Sequence, residues 1–357
     1  MESYGVAEPN LKFTVAICTL NRRSYVEKAV NEVLIQLRDF PAGRLLVVDN
    51  DSTDDTFACL VRMTATNRQL DVICEARRGL YYARARAIEE AAGDFLIFLD
   101  DDALPLPGWL RSILNALLSA PEVGVVGCSI EPIWEGPRPK WLSDRLLREV
   151  AVYEVDSNAT PARFPSFPAG ISLGIRLNEC ARLYICDERR TVYPLGRKGT
   201  PSDGPSYQMV GGEDSDLCEI YARNGYRVIF ITGARVAHAV PRNRLTPEYY
   251  LQRFRSEGHL RIRLSRLTGR PAVNRFSVKM LVGLPLFTIL KPVRLILPSR
   301  WRLLVQAYYK KCLAAWEELL WGKRLTPLPY DVARLSNGGY SCTNAPARRN
   351  RPAQNSR

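Results

Sequence analysis

Short apolar runs alternate with amphipathic stretches through the first third of the chain. Lys12–Thr19, Arg44–Asp49, Asp71–Cys74, Phe95–Leu99 and Val123–Cys128 have the length and apolar character of buried strands. Between the first two, Val26, Ala29, Val30, Val33, Leu34 and Leu37 recur at helical spacing. Ser24, with Glu27 three residues later, reads as the N-cap and capping box of that helix. Tyr82–Ala92 is an Ala-rich helix stopped by Gly93, and Trp109–Leu118 a further amphipathic one. Strands and helices in alternation imply right-handed crossovers and an α/β fold with a mostly parallel sheet flanked by helices.

Two of the strands run straight into acids. Val48 is followed by Asp49-Asn50-Asp51, and Leu99 by Asp100-Asp101-Asp102. Ligands of open α/β sheets bind beyond the carboxyl ends of the strands, so these acids stand where chemistry is expected. Three adjacent carboxylates repel one another, and a hard divalent cation relieves that repulsion. Mg²⁺ or Mn²⁺ held by one or two carboxylates commonly takes phosphate oxygens as further ligands. Read alone, Asp101 or Asp102 serves equally well as a cap for the helix starting near Pro107. The loop after the first strand is not Gly-x-Gly-x-x-Gly, and no Gly-x-x-x-x-Gly-Lys-Ser/Thr occurs. A dinucleotide-binding domain and a P-loop NTPase are thereby set aside.

A second acid pair lies in Val210-Gly211-Gly212-Glu213-Asp214, before a helix over Ser215–Asn224 with Gly225 at its C′ position. These acids read either as helix caps or as a base within hydrogen-bond reach of a hydroxyl. Val228–Phe230 is a strand leading to His238, one of two histidines; His259, in a basic helix, reads as structural. Residues 131–169, rich in Pro, Trp and Arg without periodicity, read as a long loop, and 193–208 as a Gly/Pro/Ser/Lys-rich one.

Composition adds a division of labour. The 357 residues are 46% apolar and 24% charged, enough for one large domain with an appendage. The net charge of +13 is uneven: from Pro241 onward 23 Lys and Arg face 5 Asp and Glu, against 27 and 32 before it. An acidic body with a basic tail points to an anionic partner, a membrane surface or nucleic acid. The tail's cations are interleaved with long aliphatics, which favours a membrane over nucleic acid. The apolar run Met280–Leu290 is too short to span a bilayer, which takes about 20 residues. Extending it through Leu297 would bury Lys291 and Arg294. Val293–Leu325 suits helices in the membrane interface, or a helical pair packed on the domain with its cations in solvent. None of the nine cysteines forms Cys-x-x-Cys, which disfavours a zinc knuckle and fits a reducing compartment. The N-terminus lacks the basic and apolar regions of a signal peptide. The expectation is a cytoplasmic protein, peripheral at the inner face of the membrane. The chain is expected to divide into an extension (1–11), a catalytic domain (12–262), a basic apolar helical region (263–333) and a disordered polar tail (334–357).

Val15-Ala16-Ile17-Cys18-Thr19-Leu20-Asn21-Arg22, then Val47–Thr56, then Phe98–Asp102 occur in an order and spacing that resemble family 2 glycosyltransferases of the GT-A fold. The resemblance covers roughly residues 12–262. It implies inverting transfer of a sugar from a nucleoside-diphosphate donor, with Mn²⁺ or Mg²⁺ at an Asp-x-Asp motif. It implies that Asp49 holds the nucleotide base, with Asn50 or Asp51 lining the same pocket. Thr19, Asn21 and Arg22 border the donor, with Arg77, Gly79 and Arg84 flanking it where a basic group can face the diphosphate. Asp100 and Asp102 match the ends of Asp-x-Asp, on ribose and metal, with Asp101 between them. Asp214, in preference to Glu213, matches the base. His238 matches a ligand of metal or diphosphate, and Arg244 and Tyr249 fall in a segment bordering the site. Asp51 stands where the family usually has Gly. The implied donor carries UDP, with GDP and dTDP open, and the implied acceptor is a glycan or lipid-linked hydroxyl. Two other readings stay open: a catalytically silent GT-A-like protein of a membrane polysaccharide assembly, and a nucleotidyltransferase. The latter needs a Gly-rich phosphate loop where Thr19-Leu20-Asn21-Arg22 stands.

Overall fold

The computed structural model describes residues 7–163, 166–186, 212–267 and 299–321. The loop at 193–208, Val210 and Gly211, the run Met280–Leu290 and the tail 334–357 lie outside them.

The first half repeats strand and helix: β1 (Phe13–Thr19), α1 (Arg23–Leu37), β2 (Arg44–Asp49), α2 (Thr56–Thr64), β3 (Leu70–Cys74), α3 (Leu80–Glu90) and β4 (Phe95–Asp100). β5 (Ala103–Pro105), α4 (Trp109–Leu118), β6 (Val123–Trp134), β7 (Thr160–Pro161), β8 (Ser172–Arg176) and α5 (Glu179–Cys186) follow. α6 (Glu213–Arg223), β9 (Arg227–Val240), α7 (Pro247–Leu267) and α8 (Ser299–Trp321) complete the described elements. The strands form one sheet in the order β3-β2-β1-β4-β8-β6-β9-β5, with β7 on β9. β3, β2, β1 and β4 are parallel, as short α-helical crossovers require. β8 enters antiparallel between β4 and β6, so the second half of the sheet is mixed.

Alternation along β1 explains the layers. Val15 and Ile17 face a cluster with Val26, Val30 and Val33 of α1 and with Ile113 and Leu114 of α4. Ala16 faces the other side, with Tyr81 and Ala85 of α3, Tyr184 of α5 and Ile220 of α6. Both faces are covered, which is why the strands read as unbroken apolar runs.

Three local expectations change. α1 starts at Arg23 with Arg22 at the N-cap position and no side-chain cap, so Ser24 and Glu27 form no capping box. The reason is tertiary: Asn21, at φ +52°, turns the chain, and Arg22 is drawn onto two aspartates. The stretch 131–169 is not a bare loop. β6 runs on to Trp134, and a 3₁₀ turn at Asp144–Val150 buries Leu146 and Val150 against Tyr250 and Phe254 of α7. α6 begins two residues early, at Glu213, behind Gly212 at φ +118°.

α8 packs along α7 and places Ala307 in the same cluster as Tyr250 and Phe254, so the helical pair is docked on the domain. α7 runs continuously through position 262. No helix among the described residues is long and apolar enough to cross a membrane.

Candidate active site

The sheet order reverses between β1 and β4, the crevice where open α/β sheets bind ligands. Thr19 ends β1 and the three aspartates end β4, so parallel pairing alone brings them together. Thr19 Oγ1 donates to Asp101 Oδ2 at 2.8 Å. Arg22 Nη1 donates to Asp101 Oδ1 at 3.0 Å and to Asp102 Oδ2 at 2.7 Å.

The second sheet half supplies the rest. Antiparallel pairing of β5 with β9 sets Ala103 opposite His238, and the N–H of Ala239 donates to the carbonyl of Asp102 at 2.9 Å. His238 Nε2 consequently lies 3.4 Å from Asp102 Oδ1, and both side chains are buried. Arg244, in the 3₁₀ turn after β9, puts Nη2 3.3 Å from Asp102 Oδ2 and Nη1 3.3 Å from His238 Nε2.

Electrostatics separate the neighbouring acids. Burial pushes Asp101 up to about 6, against the lowering effect of Arg22. Burial also raises Asp102, but His238, Arg22 and Arg244 overcome it and hold that carboxyl well below the usual range. Asp101 is in turn the main reason why Arg22 holds its proton more firmly than usual.

Arg84 of α3 joins this end of the sheet to the second acid pair. It is buried; Nη2 donates to Asp100 Oδ1 at 3.2 Å and to the Gly170 carbonyl at 2.9 Å, and Nη1 lies 3.5 Å from Glu213 Oε1. Burial works against its charge, yet Glu213, Asp100 and Asp214 raise its pKa. The Gly170 N–H donates to Asp214 Oδ2 at 2.9 Å. A Cβ at Gly170 would meet the guanidinium itself, which is why this position is glycine. Arg84 thus sits beneath carboxylates rather than at a surface open to a diphosphate.

A second group of expected residues organises the loop beyond β2. Asn50 donates to the carbonyls of Glu75 and Arg77 and accepts the Gly79 N–H at 2.7 Å, so it ties the start of that loop to the one between β3 and α3. Arg77 is half-exposed and bidentate on Glu75. Asn21 Oδ1 accepts the Thr53 N–H at 2.7 Å, tying the β1 loop to the β2 loop. Asp51 adopts φ +64°, the left-handed conformation that glycine favours, and its Oδ2 accepts from Arg78 Nε. Asp49 differs from these: Oδ2 accepts the Ser52 N–H, while Oδ1 is buried with no hydrogen-bond partner among the described residues.

Residues 14–171 match the sequence model of glycosyl transferase family 2. This stretch belongs to glycosyl transferase family 2. The enzyme is 24% identical over 242 residues to a glucosyl-dolichyl phosphate glucuronosyltransferase of Haloferax volcanii, covering 64% of this chain and 69% of that one. It is 26% identical over 251 residues to the succinoglycan biosynthesis protein ExoM of Rhizobium meliloti, covering 69% and 73%. A mannosyltransferase of Pyrobaculum calidifontis, solved with GDP-Man and Mn²⁺, aligns over 90% of this chain and 91% of its own, at 22% identity and a TM-score of 0.48.

Whether the glycosyltransferase fits a divalent ion is decided by its donor set. Among the described residues, no three His, Cys, Asp or Glu side chains form a group that could hold a metal. Asp102 Oδ1 and His238 Nε2 are a carboxylate–imidazole pair, and 3.4 Å is close to the roughly 3 Å between adjacent ligands of one octahedral ion with bonds of about 2.1 Å. Two protein donors, with water and phosphate oxygens completing the shell, is the usual habit of Mg²⁺ and fits Mn²⁺. Arg244 and Gly170 are the residues whose contacts sequence reasoning passed over. The resemblance places Arg244 near the site but not on Asp102 and His238, and no local signal marks Gly170 as a neighbour of Arg84 and Asp214.

Proposed function

We propose that the enzyme is an inverting, metal-assisted transferase moving a sugar from a nucleoside-diphosphate sugar, UDP first, to a hydroxyl of a glycan or lipid-linked acceptor. The observation that carries this reading is the bridge through Gly170 and Arg84, which links Asp214 to Asp100. Inversion in one displacement needs a base on the acceptor side of the anomeric carbon, close to the groups that hold the donor. Asp214 takes the hydroxyl proton, Arg84 holds Asp100 and Glu213 in place, and the buried Oδ1 of Asp49 accepts an N–H of the base. Asp102 and His238, with Asp100 as the other acid of the motif, would hold Mn²⁺ or Mg²⁺, which would supply positive charge against the diphosphate leaving group. The dolichyl phosphate in the name of the Haloferax relative supports a lipid-linked acceptor.

The same reading places the enzyme on an anionic membrane surface, at the inner face. It is supported by the basic C-terminal region and by Trp301, Tyr308 and Leu320 of α8, which stay exposed although α8 is docked. Exchanging Trp301 and Leu320 for Ser then weakens sedimentation of the full chain with anionic vesicles; undiminished sedimentation removes α8 from the contact.

The central test is a melting-temperature panel of UDP, GDP and dTDP, with and without Mn²⁺, followed by Asp214→Asn. Stabilisation by one diphosphate only with metal identifies the donor base. Asp214→Asn then keeps that stabilisation and loses transfer. A panel without any response favours the catalytically silent reading, and an active Asp214→Asn returns the base role to Glu213.

A further inference from the structure

Two buried carboxylates, Asp101 and Asp102, face two guanidiniums. Arg22 contacts both acids, at 3.0 and 2.7 Å, and Arg244 reaches Asp102 at 3.3 Å. Two negative and two positive charges therefore meet where solvent screening is weak. A divalent cation on Asp102 and His238 adds two positive charges within reach of both arginines. Such an arrangement is stable only if a guanidinium withdraws or new negative charge arrives.

The two arginines differ in freedom. Arg244 is buried and also contacts His238. The Arg22 side chain is 25% exposed, stands at the N-cap position of α1, and borders an open pocket of about 520 Å³ lined also by Asn21, Ser24, Tyr25 and Asp54. Its planar fork suits a pair of carboxylate oxygens and a pair of phosphate oxygens alike.

We infer that Arg22 is a stand-in for the divalent cation: it grips Asp101 and Asp102 when no nucleotide is bound, and passes to the diphosphate when metal and nucleotide enter. This rests on the metal-assisted reading above. The consequence is interdependence. Metal alone competes with Arg22 for Asp102, whereas nucleotide draws Arg22 away and lets the metal in. By linkage, metal strengthens nucleotide binding by the same factor.

The test is Mn²⁺ binding to the full chain, read from the electron paramagnetic resonance signal of the free ion, with no nucleotide, with UDP and with GDP. For the wild type, one diphosphate tightens Mn²⁺ binding about tenfold or more. For Arg22→Gln, Mn²⁺ alone binds about tenfold tighter than to wild type, and the gain from nucleotide shrinks accordingly. Arg22→Lys, which keeps the charge and loses the fork, falls between the two and serves if Arg22→Gln does not fold. Variants that bind Mn²⁺ alone no tighter than a wild type showing nucleotide-dependent binding overturn the exchange and leave the metal reading standing. A wild type that binds Mn²⁺ with none of the nucleotides removes the metal reading, and the role of Arg22 with it.

Discussion

Asp102 and His238 meet at 3.4 Å because β5 and β9 pair in the register that sets Ala103 opposite His238. One acid is thereby singled out from three, with His238 and two arginines stabilising its charge. Asp102→Asn leaves the two guanidiniums facing one fewer buried charge and costs about 3 kcal/mol of stability. His238→Ala leaves both arginines paired and is the cleaner probe. It weakens Mn²⁺-dependent stabilisation by nucleotide about tenfold or more in metal concentration, read as a melting-temperature titration. An unchanged titration in His238→Ala would remove the imidazole from the metal site.

Asp49 carries the donor prediction. Its Oδ1 is buried with no partner among the described residues, and a nucleobase N–H is a donor of the right kind. Asp49→Asn keeps the shape, loses the charge, and weakens nucleotide binding about tenfold to a hundredfold, as for a hydrogen bond to a charged group. Calorimetric titration with UDP and Mn²⁺, without acceptor, measures it. Equal affinities would place the base elsewhere.

Gly170 is tested by a single methyl group. The added carbon of Gly170→Ala meets the buried guanidinium of Arg84 and forces it off Asp100 or Glu213. The overpacking costs about 1–3 kcal/mol. Transfer falls further than stability accounts for, by about a hundredfold, because a displacement of about 1 Å misaligns the acids on both sides. Full turnover in Gly170→Ala shows that the bridge does not set the geometry.

The docking of α8 on α7 is pH-dependent. Burial raises Glu257 and Glu318, but Lys311 and Arg261 on the first, and His259 and Arg263 on the second, leave both below the usual 4.5. A carboxylate with a depressed folded-state pKa stabilises above its unfolded value and loses that contribution as pH falls through the folded value. The urea midpoint of the full chain therefore declines as pH drops below about 4.5, and Glu318→Gln flattens part of that decline. A wild-type midpoint that stays constant from about pH 6 to about pH 3 contradicts the clamp.

The strands, their acidic ends and the helices between them follow from the sequence. Buried β1, β2 and β4 must be apolar along their length, and such runs are plain to read: Leu45-Leu46-Val47-Val48 stops at Asp49, and Phe95–Leu99 at Asp100. Short-range chemistry also marked Gly225 as the stop of α6. What each acid faces was not legible, because no local signal encodes a partner from a distant strand. Asp101 and Asp102 are adjacent in sequence, yet Thr19 meets the first, His238 and Arg244 meet the second, and Arg22 spans both. The start of α1 moved for the same reason, since Arg22 found two carboxylates at the end of β4 more favourable than a local cap. Residues 131–169 carry no periodicity because their apolar side chains serve different surfaces: Leu142, Leu146, Val150 and Val152 share a cluster with α7 and α8, whereas Ala162 and Phe167 join the layer that covers Ala16. Apolar pattern fixes what is buried in an element; register and crossover decide which charges are buried together, and it is those pairings that set the properties of the site.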